Sequence, residues 1–171
     1  MPKAPWLARR SRDRSQSMGD LYRTDLALWA AQQAHALRSA ARERHNLLVD
    51  WENVAEEIDS LGASERRTLA SHVRTVIEHL MKLEASPATD PRNGWIATIL
   101  RARDDIEDVL KTSPSLRREV AEVIERQVIR ARRVVRVELA QRGESVRANP
   151  DSLAYAEDQV LGDWFPELPE Q

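Results

Sequence analysis

Seven apolar residues, Leu116, Val120, Ile124, Val128, Ala131, Val135 and Leu139, follow one another at steps of three and four. That spacing keeps one face of an α-helix apolar along its whole length and suits no strand, whose faces alternate every second residue. Ser113 supplies a cap and Pro114 a first helical residue whose missing N–H costs nothing, while Gly143 ends the run. The implied helix, residues 114–141, is about 42 Å long by the standard rise. A helix so long and one-sided must bury its stripe against other helices. The rest of the chain repeats the period, with only five glycines, one phenylalanine and no internal repeat or strand-like alternation. The expectation is an all-α protein, a helical bundle of about five main helices plus a short C-terminal helix.

Helix one is expected from a cap at Asp20 or Thr24 to about Arg44, with Tyr22, Leu26, Trp29, Gln33, Leu37 and Ala40 on one face and His35 opposite. Leu47 and Leu48, in the connection that follows, are expected to plug the bundle end. Asp50 then caps helix two, whose stripe is Trp51, Val54, Ala55, Ile58 and Leu61 and whose left-handed C-cap would be Gly62. Ser64 caps helix three, with Leu69, Val73, Val76, Leu80 and Leu83 on its stripe. Pro87 and Pro91 force a loop before helix four, buried through Trp95, Ile99, Ala102, Ile106 and Val109 or Leu110. After helix five come a turn at Asn149–Ser152, a short helix over Leu153–Gly162 and an apolar anchor at Trp164-Phe165-Pro166.

Length and patterning imply one domain over residues 20–166. Residues 1–19 are basic and without periodicity and read as a disordered tail; a natural start at Met18 and a basic arm with a partner are the alternatives. Arg9-Arg10 is followed by SRDRSQS rather than an apolar segment, which argues against a twin-arginine signal. Residues 167–171 read as a second tail.

Four polar residues fall in or beside apolar stripes: Asp25, Glu57, His79 and Arg103. Asp25 could serve the positive start of its helix. Glu57 borders the helix-two stripe, whereas Glu56 points away from it. His79 shares a flank with His72, about 10.5 Å along the helix, too far for one metal ion to join both. Neither has a ligating residue four positions away, so a metal would need a group from elsewhere, such as Glu57, and no metal is assigned. Arg103 lies inside an apolar sector, where a guanidinium needs a partner; Glu57, Asp25, Glu84 and Glu138 are the candidates. A separate basic run on helix five, with Arg126, Arg130 and Arg133 as possible anion-binding groups, is the one locally basic surface expected in the folded part.

The absence of cysteine excludes disulfides and thiolate chemistry and suits a cytoplasmic setting. Charged residues make up 32% of the chain, yet the net charge is −2, so the signs are interspersed, unlike a whole-chain nucleic-acid binder. No apolar run approaches the roughly 18 residues a membrane span needs. No cofactor motif is present.

Leu21-Tyr22 with Asp25 and Trp29, Asp50 through Glu56-Glu57-Ile58 to Leu61-Gly62, His79-Leu80-Met81-Lys82, and Trp95, Thr98-Ile99 and Arg103 form an ordered set. With Ser113-Pro114-Ser115-Leu116 and Leu161 to Pro166, that set resembles domain-of-unknown-function family 29, small helical proteins abundant in bacteria. The likeness spans about Leu21 to Pro166 and implies an all-helical bundle; it brings no activity, substrate or cofactor. Three function classes follow. The first is a non-enzymatic interaction or scaffold protein, as a homo-oligomer or with another protein, since Ile129 and Val137 lie outside the helix-five stripe and a partner subunit could cover them. The second is a small-ligand binder or enzyme, with His79 as acid or base, Glu57 orienting it and Arg103 holding an anion. The third, nucleic-acid binding through helix five, is disfavoured because no aromatic is interleaved for stacking and the C-terminal segment is acidic.

Overall fold

A computed structural model describes residues 18–43, 48–143 and 145–167. The described residues form six α-helices and no strand. They are α1 (Met18–Thr24), α2 (Leu26–Arg42), α3 (Trp51–Ala85), α4 (Arg92–Thr112), α5 (Val120–Arg142) and α6 (Glu157–Leu161). The four long helices pack as a bundle.

The organising element is α3, a single helix of 35 residues, about 52 Å long. Its N-terminal half pairs antiparallel with α2; its C-terminal half carries α4 and α5. This corrects the expectation of two helices divided at Gly62. Gly143 is the positive-φ glycine, in the left-handed cap that ends α5. Gly62 sits inside α3, buried where α2 crosses. A Cβ there would stand 3.3 Å from the Ala27 carbonyl oxygen and 3.6 Å from the Ala30 Cβ. The missing side chain serves close helix approach, with Ala27, Ala30 and Ala34 as the facing row of α2.

That alanine row also displaces the expected stripe of the first helix. Leu26, Trp29, Gln33 and Leu37 are only half-buried and Tyr22 is exposed. The first helix is broken as well: Asp25 leaves helical geometry and caps α2, taking the Leu28 N–H at 3.0 Å. α1 begins at Met18, inside the stretch expected as tail; residues 1–17 and 168–171 lie outside the described residues. Leu48, expected to plug the bundle end, is fully exposed, and Leu47 lies outside the described residues.

Asp50 caps α3 as expected, accepting from the Asn53 N–H. The core is built from Leu69, Val73, Leu80 and Leu83 of α3, Trp95, Ile99 and Ile106 of α4, and the full stripe from Leu116 to Leu139. Helix five opens with a 3₁₀ segment, Pro114–Glu119, before α5 proper. The chain then returns as a strap over residues 145–167, pinned by the Arg147 N–H on the Ala85 carbonyl at 2.8 Å. The expected turn at Asn149–Ser152 is a 3₁₀ turn, Pro150–Ser152, and the expected last helix over Leu153–Gly162 is reduced to the five residues of α6. Tyr155, Val160 and Pro166 of the strap are buried.

Candidate functional site

Each of the four polar candidates can be located, and they do not converge. Glu57 and His79 ride on the same helix, 22 residues and so about 33 Å apart. Glu57 is exposed, contrary to the inward placement expected of it. The buried line of α3 runs through Ala55, Gly62 and Leu69, and Glu57 points away from it. No joint role for Glu57 and His79, as metal ligands or as a catalytic pair, fits that separation. Among the described residues no group of three His, Asp or Glu could hold a metal ion.

Asp25 is buried and joins two helix starts. Its carboxylate accepts the Ser115 N–H at 2.7 Å and the Ser115 hydroxyl at 2.8 Å, besides capping its own helix. Ser113 returns the favour. It was expected to cap helix five, yet its Oγ makes no bond to its own segment; it accepts the Ala27 N–H of α2 at 3.2 Å and donates to Glu65 at 3.3 Å. Orphan N–H groups at the start of one helix are thus satisfied by a side chain from the start of the other.

His79 is half-buried, with Nδ1 2.9 Å from the Thr75 carbonyl oxygen, to which it donates. Burial holds its pKa below the ordinary histidine value; the Thr75 bond and Glu138 oppose this and Lys82 adds to it. Beside it Lys82, almost fully buried, meets Glu138 of α5 at 2.7 Å. Glu78 has its pKa raised, chiefly by burial and also by Glu138, with Arg74 and Lys82 pulling the other way. The surroundings of His79 are therefore an α3–α5 ion pair. The signal for it was present: Glu138 falls in the apolar sector of helix five, and Lys82 lies between the core residues Met81 and Leu83.

Arg103 is 8% exposed. Its partners are not the carboxylates expected but three carbonyl oxygens of the strap: Val160 at 3.0 Å, Gln159 at 2.9 Å and Trp164 at 2.7 Å. Its guanidinium lies over the Phe165 ring, 4.8 Å from the centroid. A planar fork of donors suits the unpaired carbonyls at the end of α6, and a carbonyl avoids burying a second charge. Burial lowers the Arg103 pKa, and Asp163 counters this. Spacing could not have revealed the partner, because main-chain carbonyls leave no mark in a sequence. A groove of about 600 Å³ runs beside Arg103, between α4, the 3₁₀ segment and α6, with Leu100, Lys111, Arg117 and Leu161 among its walls.

The basic run of helix five divides by role. Arg132 holds the Leu153 carbonyl at 2.7 Å and Arg136 pairs with Asp151 at 3.2 Å, so the acidic segment docks on the basic helix within the chain. Arg126 pairs with Glu122 at 2.8 Å, while Arg130 and Arg133 are exposed. Tyr155, its pKa pushed up by burial and by Glu84, donates to Glu84 at 2.8 Å and pins the strap to α3.

The profile of a family described as Domain of unknown function DUF29 matches residues 21–165. Among solved structures, the chain is similar to an alpha-helical protein of unknown function from Rhodospirillum rubrum ATCC 11170. The two share 26% identity and a TM-score of 0.64, over 85% of this chain and 91% of that one. No curated protein matches. No described helix is long and apolar enough to cross a membrane.

Proposed function

Because the chain belongs to the family of Domain of unknown function DUF29, which brings a fold and no reaction, we propose that it acts as a non-enzymatic helical interaction module. One observation carries the reading: large apolar side chains of the α2–α3 hairpin stay outside. Val54 is 40% and Leu61 42% exposed, and Trp29, Leu37 and Ile58 beside them are only half-buried. Single exposed apolar residues are ordinary, but a contiguous set marks a contact surface. Asp25, Arg103 and the Lys82–Glu138 pair support the same view, since each ties two elements together, while His79 bonds the Thr75 carbonyl of its own helix.

Binding of the dye bis-ANS tests this. Native protein is expected to bind it, and Val54→Glu with Leu61→Glu to lose most of that binding at an unchanged melting temperature. A native protein that takes up no dye at dilutions where it is monomeric would end the reading.

The groove beside Arg103 favours a second reading, a small-ligand binder. Saturable NMR shifts of Leu100 and Leu161 on adding octanoate would support it; their absence up to the solubility limit would remove it.

A further inference from the structure

The interaction reading leaves the occupant of the hairpin face open, and helical geometry narrows it. On α2 the buried row is Ala27, Ala30 and Ala34; Trp29 and Leu37 lie round the helix from it in one sense of rotation. On α3 the buried row is Ala55, Gly62 and Leu69; Val54, Ile58 and Leu61 lie round the helix in the same sense. In an antiparallel pair, equal senses of rotation bring both sets to the same side. The Arg38–Asp59 ion pair at 3.1 Å confirms the handedness, because both its residues lie in the opposite sense and they meet across the other side. The hairpin therefore has one charged side and one side that is apolar apart from Gln33.

Between Leu26 and Leu37 on α2, and between Trp51 and Leu61 on α3, the apolar side bears no charge in its middle; Glu57 stands at its edge. Charge matters to the identity of the partner. In a two-fold contact, each group near the axis meets its own image, so a charged face repels itself and an uncharged one does not. The outer face of α5 fails this condition. Ile129 is 68% exposed there, and Val134 and Val137 are exposed too, but Arg126, Arg130 and Arg133 lie among them.

Size agrees. A hairpin about 25 Å long and about 20 Å wide offers roughly 500 Å² per copy, hence about 1,000 Å² in all, at the lower limit for a specific interface. Resting on the interaction reading, we propose that the apolar side of the α2–α3 hairpin docks on the same side of a second copy of this chain. Two hairpins then stack face to face as a four-helix bundle, in a reversible dimer of micromolar strength.

The chain contains no cysteine, so single-cysteine variants give an unambiguous test. Sedimentation velocity over the micromolar range is expected to show a monomer–dimer equilibrium. Val54→Glu with Leu61→Glu should weaken it at least about tenfold per carboxylate, as unpaired charges enter a dry contact. A short bismaleimide should link Leu61→Cys or Val54→Cys into dimers and leave Ile129→Cys unlinked. A protein monomeric throughout, or one linked through Ile129→Cys and not through the hairpin variants, overturns the proposal. If bis-ANS still binds in that case, the interaction reading stands and only the second copy is excluded as its partner.

Discussion

Asp25 and Ser113 show how a few side-chain oxygens can set the register of a bundle. An N-cap ordinarily serves its own helix and is worth about 1 kcal/mol. Here the Asp25 carboxylate also takes both donors of Ser115, and Ser113 takes an N–H two residues past Asp25. Removing Ser113 leaves the buried Ala27 N–H without its partner, and removing Asp25 does the same to the part-buried donors of Leu28 and Ser115, which costs about 1–3 kcal/mol beyond the bond itself. Asp25→Ala is therefore expected to destabilise the protein by about 2–3 kcal/mol, and Ser113→Ala by about 1–2 kcal/mol. The two lie in one junction, so the double variant should cost less than the sum by about 1 kcal/mol. Urea unfolding of the four proteins checks this; strict additivity would mean that the two caps act independently. The aspartate was visible in the sequence as a residue at a helix start. Its second duty was not, because Ser115 is 90 residues away and no local pattern encodes a bond across that distance.

At the scale of whole elements, patterning was reliable wherever a helix is buried along one continuous stripe. All seven residues from Leu116 to Leu139 are in the core, as are Trp95, Ile99, Ala102 and Ile106. It failed where small residues let backbones approach. Alanine and glycine read as weak members of a stripe, or as breaks in one, yet Ala27, Ala30 and Gly62 form the α2–α3 contact. The larger neighbours, read as core, were left on the outside. The strap was the other blind spot, since two arginines, Arg103 and Arg132, hold it through its carbonyls. Arg103 takes three of them, so Arg103→Lys, with a compact ammonium in place of a fork, should keep the charge and lose most of the geometry. Amide exchange around Val160 and Trp164 is expected to speed up by at least about tenfold, one lost charge-assisted hydrogen bond being worth about 1.5–3 kcal/mol. Amides of α3 near Leu80 should keep their protection. Equal acceleration in both places would mean that the strap and the bundle open as one unit.

Across the whole molecule, the α3–α5 layer places two titrating groups with opposite consequences beside one ion pair. His79 is depressed below its ordinary 6.5, chiefly by burial. Below that pH the unfolded chain takes up the proton and the folded chain resists it, so the unfolded state binds more protons. Stability from this residue is complete above pH 6.5 and declines as pH falls toward the folded value. Glu78 is raised above its ordinary 4.5, again chiefly by burial. Between 4.5 and that raised value the folded state binds more protons, so acidification through this window stabilises the fold. Arg74 and Lys82 face Glu78 from α3 itself, Lys82 also faces His79, and Glu138 faces both groups from α5. The expected stability profile falls first below pH 6.5 as His79 resists its proton, with Glu78 opposing the fall nearer its own window. His79→Gln should remove the fall beginning at pH 6.5 and keep the opposing term, and Glu78→Gln should do the reverse. Urea midpoints from neutral pH down to 4.5 decide the matter. A wild-type profile that superimposes on that of His79→Gln would show that the half-buried imidazole charges as freely in the folded chain as in the unfolded one.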